Sequence, residues 1–564
     1  MRQIAHQVRR GAYADSIVLM QLQSALADLP GVEDAGVVMA TRANLDLLRA
    51  NRLLPEAELE LGADDMLLVV KADSREAAEA ALGEVDRLLE RRGTAGSDEE
   101  FRPRSLRGAL RLAPDAGWVL VSVPGRWAAR VAREALKADR HVFLYSDNVP
   151  HEEETALKRL AAKRRRLVMG PDCGTASIAG VGLGFANRVR PGAIGLVAAA
   201  GTGLQAVASR IHELGAGVSH AIGTGGRDLS EDVGGATTLQ GLATLAADPA
   251  TEVIVLVSKP PAPRVAARVL AHARAVGETG KPVVVCFLGL ATPLERAGSL
   301  VFAGSLATAA ERAVELAAGA GAVASEAEKT EGFLRGLFSG GTLALETLQG
   351  LAPLLAPIHS NLSLPGVEPL PDPAVSRGHT VLDLGGDEFT VGRLHPMIDP
   401  DLRRRRLEQE AADPETAIVL LDVVLGEGAH EDPAGALAPA IRAAVARGGL
   451  EVVALVVGTD LDPQGLEDQV GALEEAGAVV VRDSRAAITR VIERLTAKAD
   501  AAPAAVPQDA FAAPLSAINV GLETFHTSLV DQGAKSVHVE WRPPAGGNEK
   551  LLALLDRMRG SDDG

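Results

Sequence analysis

The stretches AADPATEVIVLVS (246–258) and AADPETAIVLLDV (411–423) decide how this chain folds. Each reads as a helix end, an Asp-Pro turn, and then an unbroken run of β-branched and aliphatic residues. That run is the pattern of a strand buried on both faces of a parallel sheet. The same preface precedes both copies: GTGGRDLSEDVGG (223–235) before the first and VLDLGGDEFTVGR (381–393) before the second. Strand, glycine pair with charges, helix, Asp-Pro turn, strand: agreement over a dozen positions in one structural slot reads as an internal duplication. Two units converging on the same turn residues is the competing explanation.

Working outward, alternation of buried strands with helices extends from 117 to about 498. WVLVSVP (118–124), HVFLYSD (141–147) and LVMG (167–170) give a Rossmann-like domain over 98–190, and IGLVAAAG, VSHAIGTGG, EVIVLVS and PVVVCFLG a first flavodoxin-like lobe over 191–328. The second copy occupies 329–498. Residues 1–97 read as a small α+β lobe of ferredoxin type: a strand near 4–10, a helix over 16–29, a strand at 36–40, a helix near Asn44, a strand at 66–72 and a helix over 74–91. GTAGSDEE (93–100) and AAPAAVPQDAFAAP (501–514, within a linker at 499–514) read as linkers, and 515–564 as a docking segment too small to fold alone.

Composition sets bounds on function. Of 564 residues, 47% are hydrophobic and only 3% aromatic, so the cores are built of Ala, Val and Leu. A net charge of −17 excludes general binding to nucleic-acid backbones, which requires a basic face. Cys173 and Cys286 cannot frame a disulfide scaffold. The start, MRQIAHQVRR, lacks an apolar signal core, and no apolar run reaches the roughly 20 residues that span a bilayer. The expectation is a cytoplasmic protein without membrane contact, and without a metal site, since CxxC, HExxH and clustered histidines are missing from the sequence.

Parallel sheets bind ligands beyond the carboxyl ends of their strands, where helix N-termini point. Gly201, Thr202 and Gly203 open a helix there, and Gly426 and Gly428 follow the duplicated strand, so these five are candidate phosphate ligands. Arg227 and Asp228, and in the second copy Asp387 and Glu388, carry charge beside glycine pairs. With His395 and His430 in polar loops they form the candidate catalytic set; capping and structural hydrogen bonds are the alternative roles. Cys173 reads as a small turn residue, and KRRR (163–166) and RRRR (403–406) as solvated helix faces.

GPDCG (170–174), PGAIGLVAAAGTGLQ, GTGGRD, AADPATEVIVLV and CFLGLATP resemble, in order, the α subunit of succinyl-CoA synthetase, which carries a Gly-Pro-Asn-Cys turn and a Ser-Gly-Thr helix start at the matching places. VLDLGGDEFT and AADPETAIVLLDVVLG resemble the carboxy-terminal ligase domain of its β subunit. With the amino-terminal lobe and the INVGLE…HVEWRPPAGG tail, the whole chain resembles the FdrA family of acyl-CoA-synthetase-like proteins. The resemblance implies an α/β fold with a CoA-binding-type Rossmann domain and two succinyl-CoA-synthetase-type ligase domains. It also implies CoA-like or substrate contacts at Val123, Pro124, Gly125, Asn148, Gly170, Pro171, Asp172 and Cys173.

The departures are specific. ERAGSLVFAG (295–304) stands where succinyl-CoA synthetase has a Gly-His-Ala-Gly segment whose histidine carries phosphate. An ATP-grasp domain is missing from the sequence, and the first Rossmann turn offers only VPG (123–125) and DNVP (147–150). The FdrA resemblance implies carbamoyl transfer between oxamate and carbamoyl phosphate in purine (allantoin) degradation, with partner subunits. It requires a phosphate site but no phosphohistidine. On this expectation the glycine turns at 201–203 and 426–428 face each other across a pseudo-two-fold axis and hold one phosphate or carbamoyl phosphate between two helix dipoles. The alternatives are an NDP-forming acyl-CoA ligase component taking CoA and ATP or ADP through an ATP-grasp partner, and a non-enzymatic scaffold.

Overall fold

The computed structural model describes residues 3–10, 12, 16–54, 59, 61–62, 65–90, 102–290, 294–319, 330–495, 503–512 and 514–543. The linker expected at 93–100 and the boundaries expected near 328 and 498 lie outside them. The described chain divides into two compact units, 1–109 with 538–564, and 110–537.

In the first unit the strands Gln3–Arg9, Met66–Ala72 and Val32–Met39 lie in that order, with Met66–Ala72 antiparallel to both neighbours. The middle strand is almost wholly buried, and the helices Ser16–Ala27 and Arg75–Gly83 cover one face. The Ser74 side chain accepts from Ala77 N–H and starts the second of these helices.

The second unit contains three sheets. The Rossmann sheet runs Lys535–Val539, Ser516–Val520, Trp118–Val121, His141–Leu144, Val168–Met169. Ser516–Val520 pairs in parallel with Trp118–Val121, so the carboxy-terminal segment docks on the chain's own body by extending this sheet. The preceding Ala/Pro stretch is packed as well. Val506 and Phe511 are buried, Trp118 Nε1 donates to Ala510 O at 2.7 Å, and the Phe511 ring meets Trp118, His141 and His220 edge-on. The expected linker is thus a wedge of core.

The first lobe is an eight-stranded sheet in the order Arg296–Ala297, Leu300–Phe302, Val283–Phe287, Val253–Ser258, Pro191–Ala199, Val218–Gly223, Thr175–Ile178, Val181–Gly184. The last two strands form an antiparallel hairpin whose first strand, Thr175–Ile178, pairs antiparallel with Val218–Gly223. The expected boundary at 190 therefore cuts a hairpin away from the sheet it completes. The second lobe is an all-parallel sheet in the order Val367–Pro369, Ile358–Ser360, His379–Asp383, Phe333–Phe338, Thr416–Val424, Glu451–Val457, Val479–Val481.

Register ties the lobes together residue by residue. Val257 stands beside Ala198 and Gly223 beside Ala198; in the second lobe Leu421 stands beside Leu337 and Asp383 beside Phe338. Aligning the two Asp-Pro repeats on these pairs makes Gly201, the first residue of the helix Gly201–Glu213, equivalent to Gly341, the first residue of Gly341–Leu351. The Asp-Pro turns match as well: Asp248 caps Ala250 N–H and Asp413 caps Glu415 N–H.

Candidate functional site

The strand Pro191–Ala199 ends on a chain too short in side chain to cap the next helix. Ala200 is the N-cap, in extended conformation and without a side-chain hydrogen bond, so the N-terminus of Gly201–Glu213 is left open. Gly201 and Thr202 line a cavity of about 260 Å³ there. Its other walls are Asp172, Cys173, Gly174 and Thr175 from the GPDCG turn, the glycines 223, 225 and 226, Gln205, Phe185 and Lys259. The phosphate candidates Gly201 and Thr202 thus share one cavity with the substrate candidates Asp172 and Cys173. Gly203 is buried behind it against Ala200 and Val257, where a Cβ would lie 3.1 Å from each.

Two side chains on the cavity escaped the sequence reading. Lys259 is the first residue after the buried strand Val253–Ser258; its ammonium has no ion-pair partner among the described residues, and it lines the cavity. Thr175 is 2% exposed, its hydroxyl lacks a hydrogen-bond partner among the described residues, and Oγ1 lies 3.9 Å from where a Gly201 Cβ would stand. For Lys259, the first charged residue after a buried strand was the available signal; Thr175 opens the strand Thr175–Ile178 and carried none. One helix terminus stabilises an exposed anion by only about 0.3–1 kcal/mol, and up to about 2 when partly buried. Lys259 and Thr175 line the same cavity and add a cation and a hydroxyl donor to that weak preference.

Cys173 has its Sγ 3.6 Å from Thr175 O, and burial pushes its thiol up to about 12. It is a neutral wall residue, as its small-turn role predicts. Asp172 takes a left-handed φ of +56° and presents an exposed carboxylate at the rim with no partner among the described residues.

The other candidates are placed elsewhere. Asp228 is fully buried and accepts from Thr237 N–H, Thr238 N–H and Thr238 Oγ1, capping the helix Ala236–Ala247. It also pairs with buried Lys158 at 2.7 Å, and Lys158 in turn holds Glu154 at 2.9 Å and Thr224 O at 3.1 Å. Arg227 reaches away from the cavity to Glu154 and Val149 O. Both residues of the expected catalytic pair are therefore fasteners between the Rossmann domain and the first lobe.

Gly426 and Gly428 do not open a helix. They lie in the loop before Pro433–Ala446, whose N-terminus is capped by the Asp432 carboxylate through Gly435 N–H. A negatively charged cap is a poor neighbour for an anion. The register counterpart of Gly201 is instead Gly341, in Ser339-Gly340-Gly341, and the cavity at Gly201 contains no residue of the second lobe. The twin cradle expected from 201–203 and 426–428 is absent among the described residues.

Glu388 accepts from Asn361 Nδ2 at 2.5 Å, and Asp387 begins the four-residue helix Asp387–Thr390. His395 Nδ1 accepts from Met397 N–H, and His430 Nδ1 from Asp432 N–H, while His430 N–H donates to Met397 O. These residues gather at the carboxyl end of the second sheet beside Asp383. Burial raises the Asp383 pKa, and Glu388 and Asp422 raise it further against the pull of Gly385 N–H and His395. The arginine run is not a solvated face: Arg403 is buried on Asp422, and Arg406 is buried on Glu410 and Ser376.

At the first Rossmann turn a Cβ on Gly125 would fall 2.1 Å from Asp147 O and 2.7 Å from Asn148 C and O. The glycine permits two turns, Val123-Pro124-Gly125 and the one through Asn148, to pack on each other, with Ser146 Oγ donating to Val123 O at 2.5 Å. A side chain at position 125 would therefore collide with the turn through Asn148.

Three family models match in succession: "AllF, heavy metal-associated domain" over 1–103, "Succinyl-CoA ligase like flavodoxin domain" over 191–331 and "CoA-ligase" over 337–492. Together with the fold they define a CoA-ligase architecture. The chain belongs to the acyl-CoA-synthetase-like, succinyl-CoA-synthetase-type enzyme family, consistent with FdrA-like proteins. It is 42% identical over 498 residues to the uncharacterized protein YahF of Escherichia coli, covering 85% of this chain and 96% of that one. Over 189 residues it is 29% identical to a malate–CoA ligase subunit alpha of Methylorubrum extorquens, covering 31% of this chain and 62% of that one. A dinucleotide-forming acetyl-coenzyme A synthetase of Ca. Korarchaeum cryptofilum is similar at 16% identity and a TM-score of 0.30, over 67% of this chain and 83% of that one. The amino-terminal model's name implies a heavy metal, but residues 1–103 hold no cysteine and one histidine, His6. No group of three potential ligands occurs among the described residues.

Proposed function

We propose that the cavity at Gly201 binds the phosphate of a small acyl phosphate, and that the chain transfers an acyl group, specifically carbamoyl, between phosphate and an acceptor such as oxamate. The observation that carries this reading is the lining itself: an open helix N-terminus, Lys259 and the Thr175 hydroxyl in about 260 Å³, with no histidine among the lining residues. Such a site stabilises charge on a departing phosphate without forming a bond to it. The acceptor's nitrogen attacks the carbonyl carbon, the C–O bond to phosphorus breaks, and phosphate leaves with the electron pair; the nitrogen's proton goes to solvent. Asp172 at the rim supports carbamoyl over acetyl, because a carboxylate accepts from an NH2 group and gains nothing from the methyl group that replaces it.

The test is phosphate-dependent formation of carbamoyl phosphate from oxalurate by the chain together with candidate partner subunits. Formation that falls at least tenfold in Lys259→Ala is expected; an inactive reconstituted complex that also fails to bind phosphate refutes the reading.

The family models favour a second reading, a component of an NDP-forming acyl-CoA ligase that draws on an ATP-grasp partner. Its phosphoryl carrier would have to be His395 or His430. His395 stands among the carboxylates Asp383, Glu388 and Asp422, which repel a phosphoryl group. Labelled ATP, a partner and a search for acid-labile phosphohistidine separate the two.

A further inference from the structure

The two lobes share their register but not the charge at their helix starts. Val257 and Gly223 flank the open start at Gly201. The equivalent positions beside Gly341 are Asp422 and Asp383. Asp422 is fully buried, and its carboxylate accepts from Ser339 N–H at 2.7 Å, Ser339 Oγ at 2.9 Å and Gly340 N–H at 3.1 Å. Arg403, 4% exposed, meets it at 2.9 Å and donates as well to the backbone carbonyls of Leu337 and Asp422. The Arg403 Nε is buried with no acceptor among the described residues.

That set of donors is an oxyanion site at the approach to the helix Gly341–Leu351: two backbone N–H groups, a hydroxyl and a guanidinium with a hydrogen-bond donor to spare. We infer that the second lobe carries an oxyanion site whose ligand is the protein's own Asp422 carboxylate. Resting on the reading of the Gly201 cavity given above, this leaves that cavity as the open member of a duplicated pair. Asp383 reinforces the closure. Its Oδ2 lies 2.6 Å from the Cβ position of Gly341, so a second carboxylate borders the same start.

The residue that decides open or closed is therefore the one at the Val257 and Asp422 position. Removing the Asp422 side chain should create a site for small carboxylates or phosphate, sized to the lost CH2–COO− group. The experiment is chemical rescue on the full chain. In Asp422→Gly, sodium formate, acetate and inorganic phosphate, each against sodium chloride at equal ionic strength, should raise the melting midpoint at least 3 °C more than in the unsubstituted protein. Equal shifts in both proteins overturn the inference. Should Asp422→Gly fail to fold, Asp422→Asn keeps one acceptor oxygen and loses the charge; there an anion-specific shift is expected to be absent, while Arg403→Met on the same background should recover stability. If the double variant is less stable than Asp422→Asn, the carboxylate is not the ligand of Arg403 and the inference falls. In the first lobe, Val257→Asp should abolish phosphate binding. If the unsubstituted protein does not bind phosphate, the function proposed for the Gly201 cavity fails, but formate rescue of Asp422→Gly still decides the second-lobe site.

Discussion

Substituting Asp228 by asparagine separates a structural role from a catalytic one. The carboxylate takes four hydrogen bonds: from Lys158 Nζ, from the N–H groups of Thr237 and Thr238, and from Thr238 Oγ1. Asparagine is nearly isosteric but presents one acceptor oxygen and one NH2. Whichever way it turns, a donor faces a donor, either the Lys158 ammonium or the start of the helix Ala236–Ala247. Loss of a helix cap costs about 1 kcal/mol. Breaking a buried pair from one side costs about 3–5 kcal/mol, because the remaining charge stays buried. Lys158 keeps Glu154 at 2.9 Å, which places the expectation near the lower end, about 3 kcal/mol. Urea unfolding reads the loss, with hydrogen exchange on Ala236–Ala247 to assign it to the first lobe. A double-mutant cycle with Lys158→Met should return a coupling above about 1 kcal/mol. A variant that loses less than about 1 kcal/mol, shows no coupling to Lys158 and yet fails to turn over would refute the structural assignment and return Asp228 to the catalytic set.

Lys259→Ala should weaken phosphate binding about 10–100-fold by calorimetry, the value of one charge-assisted hydrogen bond, with an unchanged melting midpoint. Cys173, with its thiol pushed up to about 12, should resist iodoacetamide at pH 8 roughly a thousandfold better than an ordinary thiol and react only on unfolding. His141 is buried against Trp118, accepts from Leu167 N–H at 3.0 Å, and is pushed down to about 3 by burial first and Arg166 second. Its folded pKa lies below its unfolded one, so the unfolded chain binds the extra proton. Stability is complete above about pH 6.5 and falls toward pH 3, by about 2 kcal/mol between pH 7 and pH 5. His141→Gln should flatten that segment of the profile, measured by urea unfolding at each pH.

The architecture was legible because buried parallel strands are written as uninterrupted aliphatic runs, and the duplicated Asp-Pro turn is an Asx turn in both copies. Half of the site was legible too: Gly201, Thr202, Asp172 and Cys173 meet in one cavity. The errors came from pairings that run across strands. Glycines at 426 and 428 resemble those at 201 and 203 in composition, but equivalence is fixed by register, and register points to Gly341. Nothing local distinguishes the buried Arg403 and Arg406 from Arg404 and Arg405, which pair with Asp401 and Glu408 at the surface. Charge on Asp228 signalled chemistry, although three threonine donors from residues nine and ten positions along make it a cap.

The single open anion site proposed at Gly201 has a consequence for the order of events. With a histidine relay, phosphate would travel between two sites and each helix start would hold it in turn. Here the residues leading into one start, Ser339 and Gly340, are held by a buried carboxylate with its own arginine, and the residues lining the other include no histidine. On the function proposed above, phosphate bound at Gly201 arrives from solution and leaves to solution, and the acyl group, not the phosphoryl group, passes to the acceptor. The lining donors fit that division. Lys259 and Thr175 favour the full negative charge on phosphate that develops as the C–O bond breaks, whereas a phosphoryl carrier would have to sit inside the cavity as a nucleophile. Cys173 is the one lining side chain with a nucleophilic sulfur, and at about 12 it is protonated through the physiological range. An oxygen label at the bridging position of the acyl phosphate separates the two routes: acyl transfer leaves the label on the released phosphate, while phosphoryl transfer would leave it on the acyl group.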